Sequence, residues 1–553
     1  MRRWSSVRRA GGALLTVLAC VLVWFALLAP DRASDLTPAA FARLPLEAIV
    51  LVAVLPLLPP RARRVAAVLV GLVLGLLTVL KLLDMAFFET LDRPFDTVVD
   101  WGYLGPLTGL VVDSVGRAAG VGVLASVGLL VLVVLVATPL AVLRLTRLVV
   151  RHRRASRRAV GGFGLAWVLC AALGLSVVTA GPVASTSAST YALGEVDRIP
   201  AEIRDQHAFT RATAQDPLAA VPAARLLTGL RGKDVLFVFV ESYGRVAVQG
   251  STFSPAVDAV LDAGTRRLSA QGFGARSAFL TSPTYGGISW LAHSTLQSGL
   301  WVDSQQRYAE LMTSTRPTLS STFRRAGWRT VSDVPANTRP WPQGRSFYGY
   351  DRLYDARNVG YAGPRFGYPT MPDQYTLDAF HRLELARHPR RPVMAEIDLV
   401  TSHAPWSRTP RLVDPRTVGD GSVFDGMPEQ APSKSVIWRS RQRVRAAYGL
   451  SVRYSLNALI SFVQTYGDRH LVLVFLGDHQ PATIVSGERA GHDVPVTVVA
   501  QDPAVLARIS GWNWQPGLRP HPDAPVWRMD AFRDRFLTAF GPAGARSDPG
   551  RPH

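Results

Sequence analysis

Five apolar stretches crowd the first ~185 residues, at roughly 11–30, 44–58, 65–80, 118–143 and 160–183. A helix needs about 20 apolar residues to cross the hydrocarbon layer, so a chain with this pattern cannot fold as one water-soluble core. The second and third stretches are short by that measure and are joined by Pro59-Pro60-Arg61-Ala62-Arg63-Arg64, which predicts a helical hairpin with its ends in the interfaces. An N-terminal apolar run after Arg2, Arg3, Arg8 and Arg9 is also the pattern of a signal peptide. Four further spans favour a membrane anchor here.

Charge sets the expected orientation. The formal net charge is +20 and comes almost wholly from arginine. Such a basic chain invites a nucleic-acid reading, but much of the excess lies in short segments between apolar runs. Arginines cluster at the N-terminus, at 61–64, and at Arg144, Arg147, Arg151, Arg153, Arg154, Arg157 and Arg158. The segment between the third and fourth runs instead carries Asp84, Glu89, Asp92, Asp96, Asp100 and Asp113. The positive-inside rule gives five crossings with the N-terminus cytoplasmic and everything after residue 183 outside, and no nucleic-acid partner is expected. Glu47 is read as an interfacial carboxylate beside Arg43, with an intramembrane functional role as the alternative. The two cysteines, Cys20 and Cys170, both lie in apolar runs, which excludes a disulfide framework or a cysteine-rich zinc site outside.

Residues 184–230 read as a linker. From 231 to 545 the texture alternates between strand and helix, and 546–553 reads as a disordered tail. Buried strands are expected at 234–240, 392–400, 471–476 and 495–500, as continuous apolar runs, and helices at about 444–466 and 529–540. The fold class is therefore α/β, a five-helix transmembrane domain (1–183) followed by an extracytoplasmic α/β sandwich.

Ligands of open α/β sheets bind beyond the carboxyl ends of the strands. Glu241 follows the first of these strands, Thr401-Ser402-His403 ends the second, and Asp478-His479 follows the third. Carboxylates plus an imidazole suit a divalent metal. Taken singly, each has a structural reading as a surface residue, cap or turn. The segment Thr284-Tyr285-Gly286-Gly287-Ile288-Ser289 opens a helix, which places Ser289 where free N–H groups and the helix dipole favour phosphate. A plain N-cap serine is the competing reading, and Thr284 is a rival nucleophile. His293, one turn on, either contacts substrate or packs.

Together, Val-Phe-Val-Glu241-Ser, Gly-Gly-Ile-Ser289, Phe347-Tyr348-Gly349-Tyr350-Asp351, Thr-Ser-His403-Ala-Pro, Leu-Gly-Asp478-His479 and the closing Trp527-Arg-Met-Asp-Ala-Phe resemble the sulfatase-like branch of the alkaline phosphatase superfamily. The likeness is to the lipoteichoic acid synthase group, whose members also carry five N-terminal helices before an extracellular domain. It implies one divalent ion, Mn²⁺ by expectation with Zn²⁺ or Mg²⁺ as alternatives, held by Glu241, Ser289, Asp478 and His479, with Ser289 as nucleophile where the group usually has Thr. It further implies that His403 contacts the substrate phosphate and that Trp341 and Arg345 contact the headgroup. His492 resembles a late histidine of phosphoethanolamine transferases. True sulfatases mature a Cys or Ser within Cys/Ser-x-Pro/Ala-x-Arg, a spacing that Ser289-Trp-Leu-Ala-His lacks.

The expected function is a membrane-anchored, metal-dependent phosphotransferase or hydrolase in the bacterial cell membrane. Its donor would be a membrane phospholipid, and its acceptor a cell-envelope glycolipid or polymer, or water. The alternatives are a phosphodiesterase, a phosphoethanolamine transferase, or a non-catalytic envelope protein.

Overall fold

The protein is described here by a computed structural model covering residues 2–103, 117–177 and 181–542. Asp113 and the expected tail at 546–553 lie outside the described residues. The chain forms two compact units, Met1–Glu89 with Arg93–Asp205, and Thr90–Asp92 with Gln206–His553.

The first unit is helical: α1 (Arg2–Leu28), α2 (Leu46–Val54), α3 (Pro60–Leu91), α4 (Arg117–Arg151) and α5 (Arg153–Ala172). Among the described residues, three segments are long and apolar enough to cross a membrane, Ala10–Leu28, Pro60–Leu91 and Gly120–Arg151. The other two expected spans are shorter. Leu46–Leu57 covers about 18 Å at 1.5 Å per residue, against a hydrocarbon core of about 30 Å. α5 opens on four arginines, and its apolar part stops at Gly174, whose φ of +61° ends the helix before Ser176–Val177 pairs antiparallel with Gly181–Pro182. α3 is longer at both ends than the apolar run suggests. Pro60 starts it, at a position where the missing N–H costs nothing.

Two acidic residues expected in a loop are instead tied into this unit. Asp84 lies within α3 and accepts from the Tyr191 hydroxyl (2.5 Å) and Phe95 N (2.9 Å). Asp100 takes a bidentate bond from Arg93 (2.6 and 2.7 Å). Glu47 accepts from both Ser189 N (2.9 Å) and Ser189 Oγ (2.8 Å). Those contacts cap the start of α6 (Ser187–Ala214), a helix that fills much of the segment read as a linker.

The second unit is built on a nine-stranded sheet. Its strands are β1 (Asp234–Val240), β2 (Gly274–Thr281), β3 (Arg329–Val334), β4 (Arg352–Asp355), β5 (Val393–Leu399), β6 (Leu471–Gly477), β7 (Asp493–Ala500), β8 (Gln515–Pro516) and β9 (Val526–Arg528). The order is β8-β2-β7-β6-β1-β5-β3-β4, with β9 also on β2. The run β6-β1-β5-β3-β4 is parallel, and β7 is antiparallel to both β6 and β2. All seven residues of β1 and of β6 are buried, which is why these strands are apolar throughout instead of alternating.

Side chains leave β1 alternately toward two cores. Leu236, Val238 and Val240 pack with α7 (Ser254–Ala270) and α9 (Arg441–Tyr466), through residues such as Leu261 and Val452. Val235, Phe237 and Phe239 pack with α8 (Ser289–Ser298) and α10 (Asp530–Ala539), through Leu296, Phe532 and Phe536. The result is a helix–sheet–helix sandwich. Phe237 is fully buried, with edge-on rings at 5.3 Å (Phe536), 6.2 Å (Phe323) and 6.4 Å (Phe532). Phe237→Ala is expected to lower the stability of this unit by about 3–5 kcal/mol, read by denaturant unfolding.

Register sets the site. Val240 of β1 pairs with Gly477 of β6 and with Leu399 of β5. Three adjacent parallel strands therefore end level with one another, and the residues that follow them emerge along one edge.

Candidate metal centre and nucleophile

Glu241 leaves β1 in a tight turn. Its N–H donates to the Leu399 carbonyl (3.0 Å), and Ser242 after it adopts φ +56°, a left-handed conformation that costs a non-glycine residue stability. Asp478 leaves β6, and its Oδ1 accepts from Ser242 N and His479 N, both at 2.7 Å. Gly477 is required between them, because a Cβ there would run into the Tyr243 carbonyl. Ser289 is the first residue of α8, preceded by Ile288 at φ +63°, a rare left-handed β-branched residue.

These turns bring four side chains to one point. Ser289 Oγ donates to Glu241 Oε2 at 3.0 Å and lies 3.3 Å from His479 Nε2. His479 Nε2 is 3.2 Å from Glu241 Oε1 and 3.6 Å from Asp478 Oδ2. Four donors held about 2.0–2.2 Å from a tetrahedral ion lie about 3.3–3.6 Å from one another. The separations here run from 3.0 to 3.6 Å, with both Glu241 oxygens engaged, so a small outward shift would admit a single cation. The donor chemistry fits as well. His479 Nδ1 faces the Gln480 carbonyl at 2.7 Å, the bond that turns Nε2 toward a metal. Asp478 Oδ2 is buried and has no hydrogen-bond partner, a costly state for a carboxylate oxygen that a cation would relieve.

Electrostatics point the same way. Burial opposes ionisation of Glu241, but the imidazoles of His403 and His479 hold its carboxyl below the usual range. Burial, then the neighbouring Glu241, pushes Asp478 up. Burial would lower His479, but Asp478 and Glu241 outweigh it and push the imidazole up to about 9. In the metal-free protein a proton therefore sits at Nε2. Its stabilisation of the fold is complete below the unfolded histidine pKa of about 6.5 and is lost as pH rises through about 9. A cation must displace that proton. Apparent affinity for Mn²⁺ should thus rise about tenfold per pH unit up to about 9 and flatten above it, and titration calorimetry in buffers of differing ionisation heat should count about one proton released. Affinity independent of pH between 6.5 and 8.5 would contradict this.

The other expected residues fall into distinct places. His403 stacks face to face on Tyr368 at 3.6 Å, and its Nδ1 contacts the Ala404 carbonyl at 2.5 Å, leaving Nε2 for a ligand. Thr284 Oγ1 donates to the Gly287 carbonyl at 2.8 Å, which commits it to the turn ahead of α8. Arg345 is exposed, and its guanidinium donates to the carbonyls of Tyr350 (3.4 Å) and Asp351 (2.9 Å). Trp341 packs against Tyr348 at 5.8 Å. His492 lies tilted against Tyr285 at 5.4 Å. His293 faces Glu396 and Asp398 of β5, two carboxylates that sequence reasoning passed over inside an apolar run. Their spacing of two was the available signal, because it puts both on one face of the strand.

No protein-family profile matches the chain, and no curated protein matches it. Solved structures do. The lipoteichoic acid synthase LtaP from Listeria monocytogenes is 14% identical over 57% of this chain and 74% of its own, with a TM-score of 0.39. The C-terminal periplasmic domain of EcEptC from Escherichia coli, in complex with Zn, is 13% identical over 56% and 82%, at 0.35. The Streptococcus pyogenes phosphoglycerol transferase GacH, in complex with sn-glycerol-1-phosphate, is 12% identical over 62% and 91%, at 0.33. Likeness at this level says nothing of substrate.

Proposed function

We propose that this chain is a membrane-anchored, metal-dependent phosphotransferase of the lipoteichoic acid synthase-like kind, with Ser289 as nucleophile and its second unit outside the membrane. The observation that carries the reading is the convergence of Glu241, Ser289, Asp478 and His479 on one point at the ends of adjacent strands and of α8.

In this reading Ser289 Oγ attacks the phosphorus of a phospholipid headgroup. The Oγ–P bond forms, the bond from phosphorus to the diacylglycerol oxygen breaks, and that oxygen leaves with a proton. An acceptor hydroxyl, or water, then attacks the phosphoserine and frees Ser289. A divalent cation bound by the four residues would supply Lewis-acid charge favouring the serine alkoxide and the phosphoryl oxygens. Glu241 orients the Ser289 hydroxyl through their 3.0 Å bond. Ser289 opens α8, where the helix dipole favours negative charge. His403 offers Nε2 to the phosphate, its ring held by Tyr368.

The test is to incubate the full chain in vesicles with Mn²⁺ and headgroup-labelled phosphatidylglycerol or phosphatidylethanolamine. The reading expects diacylglycerol release and a labelled phosphoserine at Ser289, with the label identifying the headgroup taken. Neither product from either lipid would refute it.

A further inference from the structure

His293, Glu396 and Asp398 form a second cluster of the same chemistry one helical turn beyond the nucleophile. Register pairs Glu396 with Phe237 and Asp398 with Phe239, so both carboxylates project from β5 toward α8. His293 Nδ1 lies 3.1 Å from Glu396 Oε1 and 3.5 Å from Asp398 Oδ1, and the three donor atoms all fall within 4.8 Å of one another. We propose that these three residues hold a second divalent cation, distinct from the one assigned to Glu241, Ser289, Asp478 and His479.

Three observations favour a cation over a simple ion pair. First, a single ring nitrogen faces two carboxylates, and one N–H cannot satisfy both. Asp398 Oδ1 is left buried without a hydrogen-bond partner, as Asp478 Oδ2 is in the first cluster. Second, Glu396 is held from behind. Its Oε2 accepts from the Tyr350 hydroxyl at 3.0 Å and from Gln297 Nε2, which leaves Oε1 turned toward the point that His293 and Asp398 share. Hydrogen bonds that orient a ligand carboxylate in this way are typical around protein-bound metals. Third, the His293 ring is fixed by stacking on Phe239 at 3.8 Å, so its donor is pre-aimed.

One imidazole and two carboxylates are a donor set that suits an ion of the zinc or manganese type. Ser289 and His293 stand four residues apart on one face of α8, about 6 Å along its axis. The second ion would thus lie beside the phosphoryl group bound at Ser289 and share its negative charge. That role rests on the phosphotransferase reading; the ligand set does not.

The test is a metal count. Full-length protein in detergent is stripped with chelator, dialysed against Mn²⁺ and, in parallel, Zn²⁺, freed of loose ion by gel filtration, and measured by plasma mass spectrometry. Two equivalents are expected. Asp398→Asn and Glu396→Gln should each fall to one, Asp478→Asn should also fall to one, and Asp398→Asn with Asp478→Asn should hold none. Circular dichroism checks folding, and Glu396→Gln serves should Asp398→Asn not fold. One equivalent in the wild type, or a count unaffected by Asp398→Asn and Glu396→Gln, overturns the proposal. A count that falls with Asp398→Asn but not with Asp478→Asn leaves this site standing and defeats the phosphotransferase centre instead.

Discussion

Ser289→Ala is expected to lower turnover by roughly 10⁴-fold or more, with the fold intact. The substitution deletes the hydroxyl that is bonded to Glu241 Oε2 at 3.0 Å and lies 3.3 Å from His479, and leaves the Ser242 hydroxyl on Glu241 Oε1. It leaves α8 in place, because no side-chain cap hydrogen bond is made at its start. Thr284→Ala is the control. Its hydroxyl is spent on the Gly287 carbonyl, so its loss should loosen the turn and lower the rate far less than removal of Ser289 does. A rate lost in Thr284→Ala and kept in Ser289→Ala would transfer the nucleophile's role to Thr284. Headgroup release from labelled phospholipid reads both variants.

Asp478→Asn should weaken binding of the first cation by about 100-fold or more, since it alters a direct ligand and even outer contacts are worth 10–100-fold. Activity should fall to background with it. The change is nearly isosteric. The amide oxygen can take over the bonds from Ser242 N and His479 N, while an NH₂ group replaces Oδ2, the buried oxygen without a partner. The same carboxylate lies 3.6 Å from His479 Nε2 and raises that imidazole, so the metal-free variant should be less stable than wild type at neutral pH while still folding, and binding is read below its melting temperature. Titration calorimetry with Mn²⁺ and a thermal melt without metal separate the two.

What could be read from the sequence was whatever a contiguous pattern encodes. β1 was visible because burial on both faces makes an unbroken apolar run, and Glu241 and Asp478 follow from the rule that the carboxyl ends of parallel strands carry the ligands. β2 was not visible, for it mixes Arg276 and Ser277 into an antiparallel strand, and neither were the short β8 and β9. Orientation of side chains was equally hidden. Arg345 sits in the expected segment, but its guanidinium is occupied by the backbone of Tyr350 and Asp351, contacts that arise only once α-helical and extended segments fold back on each other. Tyr368 and His403 are 35 residues apart in the chain, and nothing local announces their stacking. Glu396 and Asp398 were read as strand, correctly, and their chemistry was missed because an apolar frame suggested that everything within it was core. In the membrane unit, apolar runs marked the helices but not their ends, which are set by Pro60, by Gly174 and by the arginines that open α5.

The most direct test of the central claim is an anomalous difference map, collected at the manganese absorption edge, from crystals of the full chain grown with Mn²⁺. A peak about 2.0–2.3 Å from Glu241, Ser289, Asp478 and His479 is the expected result. Ordered density for those four side chains with no anomalous peak between them would contradict it.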